Sequence, residues 1–340
     1  MPVIEAKQLT KSFQRPIKEL GLAGSLKHLI RPRFESKLAV NQVDFCIEAG
    51  ESVAYVGPNG AGKSTTIKLL TGIIVPSAGE VQVEGRIPHK ERIENAQHIG
   101  VIFGQRTQLW WDLPVQDSFR LLGDVYQIPR AAFQRSLEEC VELLDLSPLL
   151  RVPARQLSLG QRVRCDVAAA LLHSPSILFL DEPTIGLDVA VKARIRAFIK
   201  QIQRDRQVTV LLTSHDLGDI SDLCKRLIMI DQGKIVFNGP IHAVMQRFGC
   251  DRVVHLLLGE AVPEAVERAQ ALLPELPDGA IQQPDPHRLS VHFNANQLTA
   301  GAIAGRLMPV LPVNDLQIDE PKIETVIRQL YTGELRFEGQ

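Results

Sequence analysis

Gly57-Pro58-Asn59-Gly60-Ala61-Gly62-Lys63-Ser64-Thr65 has the G-x-x-x-x-G-K-[ST] spacing of a phosphate-binding loop. A loop that offers several backbone N–H groups to a polyphosphate needs residues without a Cβ where it curves and closes in, hence Gly57, Gly60 and Gly62. Lys63 adds a mobile positive charge for the β- and γ-phosphates, and Ser64 a hydroxyl for Mg²⁺. A true match requires a strand before the loop and a helix after it. Ser52-Val53-Ala54-Tyr55-Val56 reads as a buried strand, and Ser64 to Leu70 as a helix stopped at Thr71-Gly72. The helix start then faces the phosphates and adds its dipole.

A second element of the same chemistry is Ile177-Leu178-Phe179-Leu180-Asp181-Glu182. An apolar strand ending in a carboxylate sets that carboxylate at the C-terminal edge of a sheet, where Asp181 can hold Mg²⁺ through its water shell. Glu182 follows and can act as base toward the water that attacks the γ-phosphate, because water alone is a poor nucleophile. Upstream, Leu157-Ser158-Leu159-Gly160-Gln161 precedes the apolar run Val167 to Leu172. Ser158 reads as the N-cap of a helix whose start would also bind a phosphate. One chain thus carries two phosphate-binding helix starts.

Around these motifs the pattern is that of a parallel sheet covered on both faces. Ile99 to Phe103, Ile177 to Leu180 and Val208 to Thr213 are short apolar runs separated by helical stretches. Val3 to Leu9 and Ala39 to Glu48 read as strands, Val115 to about Leu150 as helices broken at Pro129 and Pro148, and Arg226 to Phe237 as a hairpin turning at Asp231-Gln232-Gly233. Basic residues cluster between Lys11 and Lys37, where Ile17 to Ile30 has helical spacing. That segment either packs on its own sheet or docks to a membrane or partner. Beyond Phe248-Gly249 the order becomes strand (Arg252 to Leu258), helix (Pro263 to Leu273), a turn at Pro284-Asp285-Pro286, strand (Leu289 to Phe293), helix (Gln297 to Met308), strand (Val313 to Ile318) and helix (Lys322 to Leu330), a small α+β module.

Composition narrows the class. A hydrophobic fraction of 45% with 23% charged residues is that of a globular protein, and no apolar run approaches the roughly 18 residues that span a bilayer. A net charge of -1 gives no general attraction to nucleic acid. The start of the chain lacks the pattern of a secretory leader, and Cys46, Cys140, Cys165, Cys224 and Cys250 match neither a disulfide framework nor metal spacing. They read as reduced core residues of a cytosolic protein.

Over Val3 to Gly239 these motifs resemble the ATP-binding-cassette (ABC) ATPases, most closely those of ABC-2-type exporters. The resemblance implies an α/β P-loop NTPase with a mostly parallel core sheet, an antiparallel β subdomain and a helical subdomain, followed by the small C-terminal α+β domain. The implied boundaries are residues 1–245 for the ATPase domain, with the basic insertion at about 14–37 and the helical subdomain at about 105–172, and 246–340 for the accessory domain. It further implies that two subunits, identical or related, pair head to tail around ATP and Mg²⁺. Ser158, Gly160 and Gln161 of one then cover the γ-phosphate held by the other. Leu159 departs from the family's commonest glycine and leaves the serine and Gly160 intact.

In that register Gln105 matches the glutamine that senses Mg²⁺ and the attacking water. Asp188 of Gly186-Leu187-Asp188 matches the loop crossing the dimer interface, and His215 the histidine at the γ-phosphate. Phe13 fits the position of the aromatic that stacks on adenine, with Phe34 as second choice. The implied partners are ABC-2-type permease subunits, placing the chain on the cytoplasmic face of the membrane. The alternative is a soluble ATP-driven switch on nucleic acid or the ribosome, whose relatives carry two cassettes or coiled-coil insertions. Trp110-Trp111 either line the groove that receives the permease's cytoplasmic helix or pack in the core.

Overall fold

The computed structural model describes residues 2–16, 34–104, 106–320, 325, 326 and 329. The helical segment expected from Ile17 to Ile30, Gln105 and most of the helix expected from Lys322 to Leu330 lie outside the described residues. The chain divides into two compact units, Met1–Gly239 and Pro240–Gln340.

In the first unit β1 (Pro2–Pro16) pairs antiparallel with β2 (Phe34–Glu48), followed by β3 (Ser52–Val56), α1 (Lys63–Leu70), β4 (Ala78–Val83), α2 (Arg92–His98) and β5 (Ile99–Phe103). Then come α3 (Val115–Val125), α4 (Arg130–Leu143), α5 (Leu159–Leu171), β6 (Ile177–Asp181), α6 (Val189–Arg206), β7 (Thr209–Thr213), α7 (Leu217–Leu223), β8 (Arg226–Asp231) and β9 (Lys234–Pro240). A six-stranded sheet has the order β5-β6-β7-β3-β8-β9, and a three-stranded antiparallel sheet the order β2-β1-β4. The pairs from β5 to β8 run parallel.

Every residue of β3 and of β7 is buried, as is β6 up to its final Asp181, which is why these strands are continuous apolar runs without alternation. The same order explains the site. β3 lies between β7 and β8, and β6 lies beside β7, so the turns that leave β3, β6 and β7 emerge side by side at one sheet edge. Ile4, Leu9, Phe45 and Ile47 of the antiparallel sheet share one core with Tyr55, Ile67, Phe179 and Leu211, and burying each such side chain stabilises the fold by about 1.5–3 kcal/mol.

Three local differences from the sequence reading have simple causes. The β1/β2 ribbon extends well past Leu9, with Phe13 opposite Lys37 and Pro16 opposite Phe34. Its outer residues on β2 are exposed, Phe34 and Leu38 included, so no burial pattern marks them. The polar stretch between β4 and β5 contains α2, in which only Asn95 is buried. Cys46 points outward on β2, whereas Cys140, Cys165, Cys224 and Cys250 are buried as expected.

The second unit comprises α8 (Ile241–Phe248), β10 (Asp251–Leu258), α9 (Ala265–Leu272), β11 (Ile281–Asp285), β12 (Arg288–Asn294), α10 (Ala300–Leu307) and β13 (Val313–Asp319). Its four-stranded sheet has the order β11-β12-β10-β13 and is antiparallel throughout. Val254, Leu256, Leu289 and Val291 face Ala265, Ala269, Ile303 and Leu307 in a separate core. The stretch read as a turn at Pro284 belongs to β11. It is an edge strand whose register slips between Gln282 and Asp285, where a residue without an N–H costs no ladder bond.

Candidate nucleotide site

The loop from Gly57 to Gly62 is shaped by two contacts that only glycine permits. A Cβ on Gly57 would sit 2.1 Å from the Ile230 carbonyl oxygen, and one on Gly62 would sit 2.3 Å from that of Ala39, at a φ of 116°. Gly62 is the N-cap of α1, and no side chain caps that helix, so its first N–H groups face the loop's concavity. Lys63 Nζ arches back over the loop, donating to the carbonyls of Gly57 at 2.7 Å and Pro58 at 3.2 Å. Burial lowers the proton affinity of this ammonium, and the carboxylates of Glu182 and Asp181 oppose that effect.

The neighbouring strand ends supply the remaining groups. Ser64 Oγ donates to Asp181 Oδ1 at 3.2 Å, and Thr213 Oγ1 donates to the same oxygen at 2.6 Å. His215 Nε2 lies 3.1 Å from Glu182 Oε1 and 3.4 Å from Lys63 Nζ. Glu182 has a φ of 54°, a left-handed conformation uncommon for a residue with a Cβ. It is held there by its N–H bond to the Thr213 carbonyl at 2.9 Å, and its own carbonyl lies 2.2 Å from where a Cβ on Gly104 would be. Strain of this kind persists where surrounding bonds over-determine it.

A cleft of about 430 Å³ runs over this constellation, lined by Phe13, Lys37, Ala39, Asn59, Gly60, Gly62, Lys63, Ser64, Thr65 and Glu182. Phe13, on the β1 extension, thus flanks the loop, while Phe34 is not among the lining residues. A second cleft of about 370 Å³ shares Ser64 and Glu182 with the first and continues to Lys68, Arg106 and Asp181.

The fit to a nucleoside triphosphate follows from the cradle without Cβ atoms, the uncapped helix start and the inward lysine. For a divalent cation, the paired oxygens of Ser64 and Asp181 suit Mg²⁺, which takes one or two protein oxygens and completes its shell with water and phosphate. No cluster of three His, Cys, Asp or Glu side chains able to hold a metal by themselves occurs among the described residues.

The second helix start lies elsewhere. Ser158 caps α5 through a reciprocal capping box, with Gln161 N–H donating to Ser158 Oγ at 3.3 Å and Ser158 N–H to Gln161 Oε1 at 2.9 Å. Ser158 is exposed and lines neither cleft. Leu159 leans on Gly186, with its Cδ2 3.2 Å from that residue's ideal Cβ position, and Gly160 packs against Val191. Asp188 is exposed and caps α6 through Val191 N–H at 2.9 Å. Trp110 and Trp111 are 41% and 50% exposed, which removes the core-packing reading, and the Arg162 guanidinium lies 4.6 Å above the Trp111 ring.

Sequence reasoning missed three residues. Thr213 shares Asp181 with Ser64, Gly104 makes room for Glu182, and Asp166 is a buried carboxylate on α5 that accepts from Thr107 Oγ1 and Gln108 N–H, both at 2.8 Å. Only Asp166 left a signal, an acid next to the apolar run that begins at Val167.

Fold and site together define a P-loop nucleotide-binding cassette. Residues 40–185 match the ABC transporter family model. The chain is 30% identical over 234 residues to the ABC transporter ATP-binding protein NatA of Bacillus subtilis, covering 68% of this chain and 95% of that protein. It is 28% identical over 310 residues to the linearmycin resistance ATP-binding protein LnrL of the same organism (90% and 98%). It is 33% identical over 228 residues to the Nod factor export ATP-binding protein I of Burkholderia lata (65% and 73%). Among solved structures, the ATP-binding subunit of an ABC transporter superposes with a TM-score of 0.60 at 23% identity, covering 73% of this chain and 93% of that one. The dimeric cassette MJ0796 in a post-hydrolysis state bound to ADP and Pi superposes at 0.57 and 24% identity (70% and 98%). The chain belongs to the ABC transporter family and is an ATP-binding ATPase subunit.

Proposed function

We propose that the chain is the motor of an ABC-2-type exporter, in which two copies, or one copy and a related ATPase, close around two ATP molecules and drive separately encoded permease subunits. The observation that carries this reading is the division of groups. Lys63, Ser64 and Glu182 line one cleft, with Asp181 bonded to Ser64 and His215 to Glu182, while the exposed serine-capped start of α5 stands apart from it.

In this reading the N–H groups from Gly57 through Thr65 and the Lys63 ammonium hold the phosphates, and Phe13 stacks on adenine. Ser64 and Asp181 would hold Mg²⁺, which would supply positive charge toward the phosphates. Glu182 accepts the proton of the attacking water as the new P–O bond forms and the bond to ADP breaks. His215 steadies Glu182 and the γ-phosphate. The partner's Ser158, Gly160 and Gln161 cover that phosphate, Asp188 crosses the interface, and Gln105 links site to permease. Such a base contributes about 10²–10⁴-fold in rate.

No helix among the described residues is long and apolar enough to cross a membrane, so the permease supplies the translocation path. The half-exposed Trp110 and Trp111 suit the groove for its cytoplasmic helix. Export is supported by the names of two relatives, concerned with Nod factor export and linearmycin resistance. The functional test is hydrolysis by the full chain with and without its permease. Stimulation by the permease that is absent in Lys63→Ala supports the reading, and a permease that neither binds nor stimulates the chain overturns it.

A further inference from the structure

Glu182 and His215 leave different strands, yet their side chains meet at 3.1 Å. Behind them lies a single buried carboxylate. Asp219, on α7, is fully buried. Its Oδ2 accepts from Ser214 Oγ at 2.9 Å and from Thr184 Oγ1, and its Oδ1 accepts from Arg196 Nε at 2.6 Å. Ser214 is the residue before His215, and Thr184 is the second residue after Glu182. Thr184 and Ser214 are themselves buried. The turn leaving β6 and the turn leaving β7 are therefore tied to one carboxyl group.

The third tie reaches toward the surface. Arg196 lies on α6, the helix that Asp188 caps, and it also bonds Asp216 at 3.0 Å, the residue after His215. Lys192, one turn nearer Asp188, bonds Asp216 as well. Burying a charge is expensive, and an apolar group of the same shape would fill the space at lower cost. What the carboxylate adds is direction, since its two oxygens can satisfy Thr184, Ser214 and Arg196 together only when both turns hold one relative position.

We propose that Asp219 is the positioning residue that keeps Glu182 and His215 in hydrolytic register, and that α6, through Arg196, carries displacement of the Asp188 turn to that pair. The proposal rests on the assignment of Glu182 as the base. It extends that assignment by naming how a partner pressing on Asp188 is felt at the reacting water.

Truncating Asp219 would remove the shared acceptor of Thr184, Ser214 and Arg196 at once, so the test removes a single donor instead. Thr184→Val keeps the shape and deletes one hydroxyl, whereas Thr184→Ser keeps the hydroxyl. Steady-state hydrolysis of Mg-ATP by the full chain is measured for both, beside Glu182→Gln. Misplacement on the ångström scale costs on the order of 10²-fold, so Thr184→Val is expected to lower kcat about tenfold to a hundredfold with KM for ATP within about threefold. Thr184→Ser is expected to recover most of that loss. Parental kcat in Thr184→Val, a loss carried by KM, or Thr184→Ser as impaired as Thr184→Val overturns the proposal. If Glu182→Gln is inactive and Thr184→Val is not impaired, the positioning role alone fails. If Glu182→Gln hydrolyses at the parental rate, the assignment of the base falls with it.

Discussion

Replacing Asp166 with asparagine should make the protein more stable at neutral pH, by an amount that depends on pH in a defined way. Asp166 is 5% exposed on α5, and burial pushes its pKa from an ordinary 3.8 up to about 6, against the opposing pull of the Gln108 N–H, the Thr107 hydroxyl and the Arg162 charge. Because the folded-state pKa lies above the unfolded one, the fold favours the protonated acid. Its favourable contribution is complete below about 3.8 and is lost as pH rises through about 6. At about 1.36 kcal/mol per tenfold change in proton affinity, the ionised carboxylate costs the fold about 3 kcal/mol above pH 7. Asparagine keeps an oxygen to accept from Thr107 and Gln108 and carries no charge to desolvate. The measurement is thermal or denaturant unfolding of both proteins from pH 4.5 to 8. Asp166→Asn is expected to gain on the parent as pH rises through about 6 and to level off above about pH 7 at a Tm advantage of several degrees, since each kcal/mol moves Tm by about 2–4 °C in a unit of this size. A difference that stays constant with pH, or an asparagine variant that is the less stable at pH 8, would refute the reasoning.

Two further outcomes follow from contacts described above. Gly57→Ala drives a Cβ to 2.1 Å from the Ile230 carbonyl, and overpacking of that kind costs about 1–3 kcal/mol. ATP affinity measured by calorimetry should fall at least tenfold, whereas Gly60→Ala meets nothing within 4 Å and should retain more of it despite a φ of 83°. Trp111→Ala removes the ring beneath Arg162, a contact worth about 0.5–1 kcal/mol when exposed, so the isolated chain should unfold nearly as the parent does. Copurification with the permease should fall sharply, and undiminished copurification would remove the tryptophans from the docking surface.

Local chemistry explains what the sequence made readable. The loop before Lys63 can be spelled only with glycines where backbones crowd it, the strands that frame it are unbroken apolar runs, and Ser158 with Gln161 spells a capping box. Each is written in one short stretch, which spacing reports directly, even though the Ile230 and Ala39 backbones that crowd the loop come from elsewhere in the chain. The long-range ties were not readable. Thr184 meets Asp219 across 35 residues and Thr107 meets Asp166 across 59, and nothing in either neighbourhood names its partner. The positive φ of Glu182 is likewise set by Thr213 and Gly104, not by the glutamate itself. α2 escaped because its exposed face leaves almost no apolar periodicity, and β11 because Pro284 is tolerated on an edge.

The central claim is that each ATP is held by the lysine-bearing loop of one subunit and the serine-capped helix of another. Mixing two inactive variants tests it most directly, one with Lys63→Ala and the other with Ser158→Arg. A mixed dimer then contains one intact site, built from the unaltered loop of the second variant and the unaltered helix of the first. The account predicts that hydrolysis absent from either variant alone reappears on mixing. Two inactive variants that stay inactive together, though each still dimerises, would contradict it.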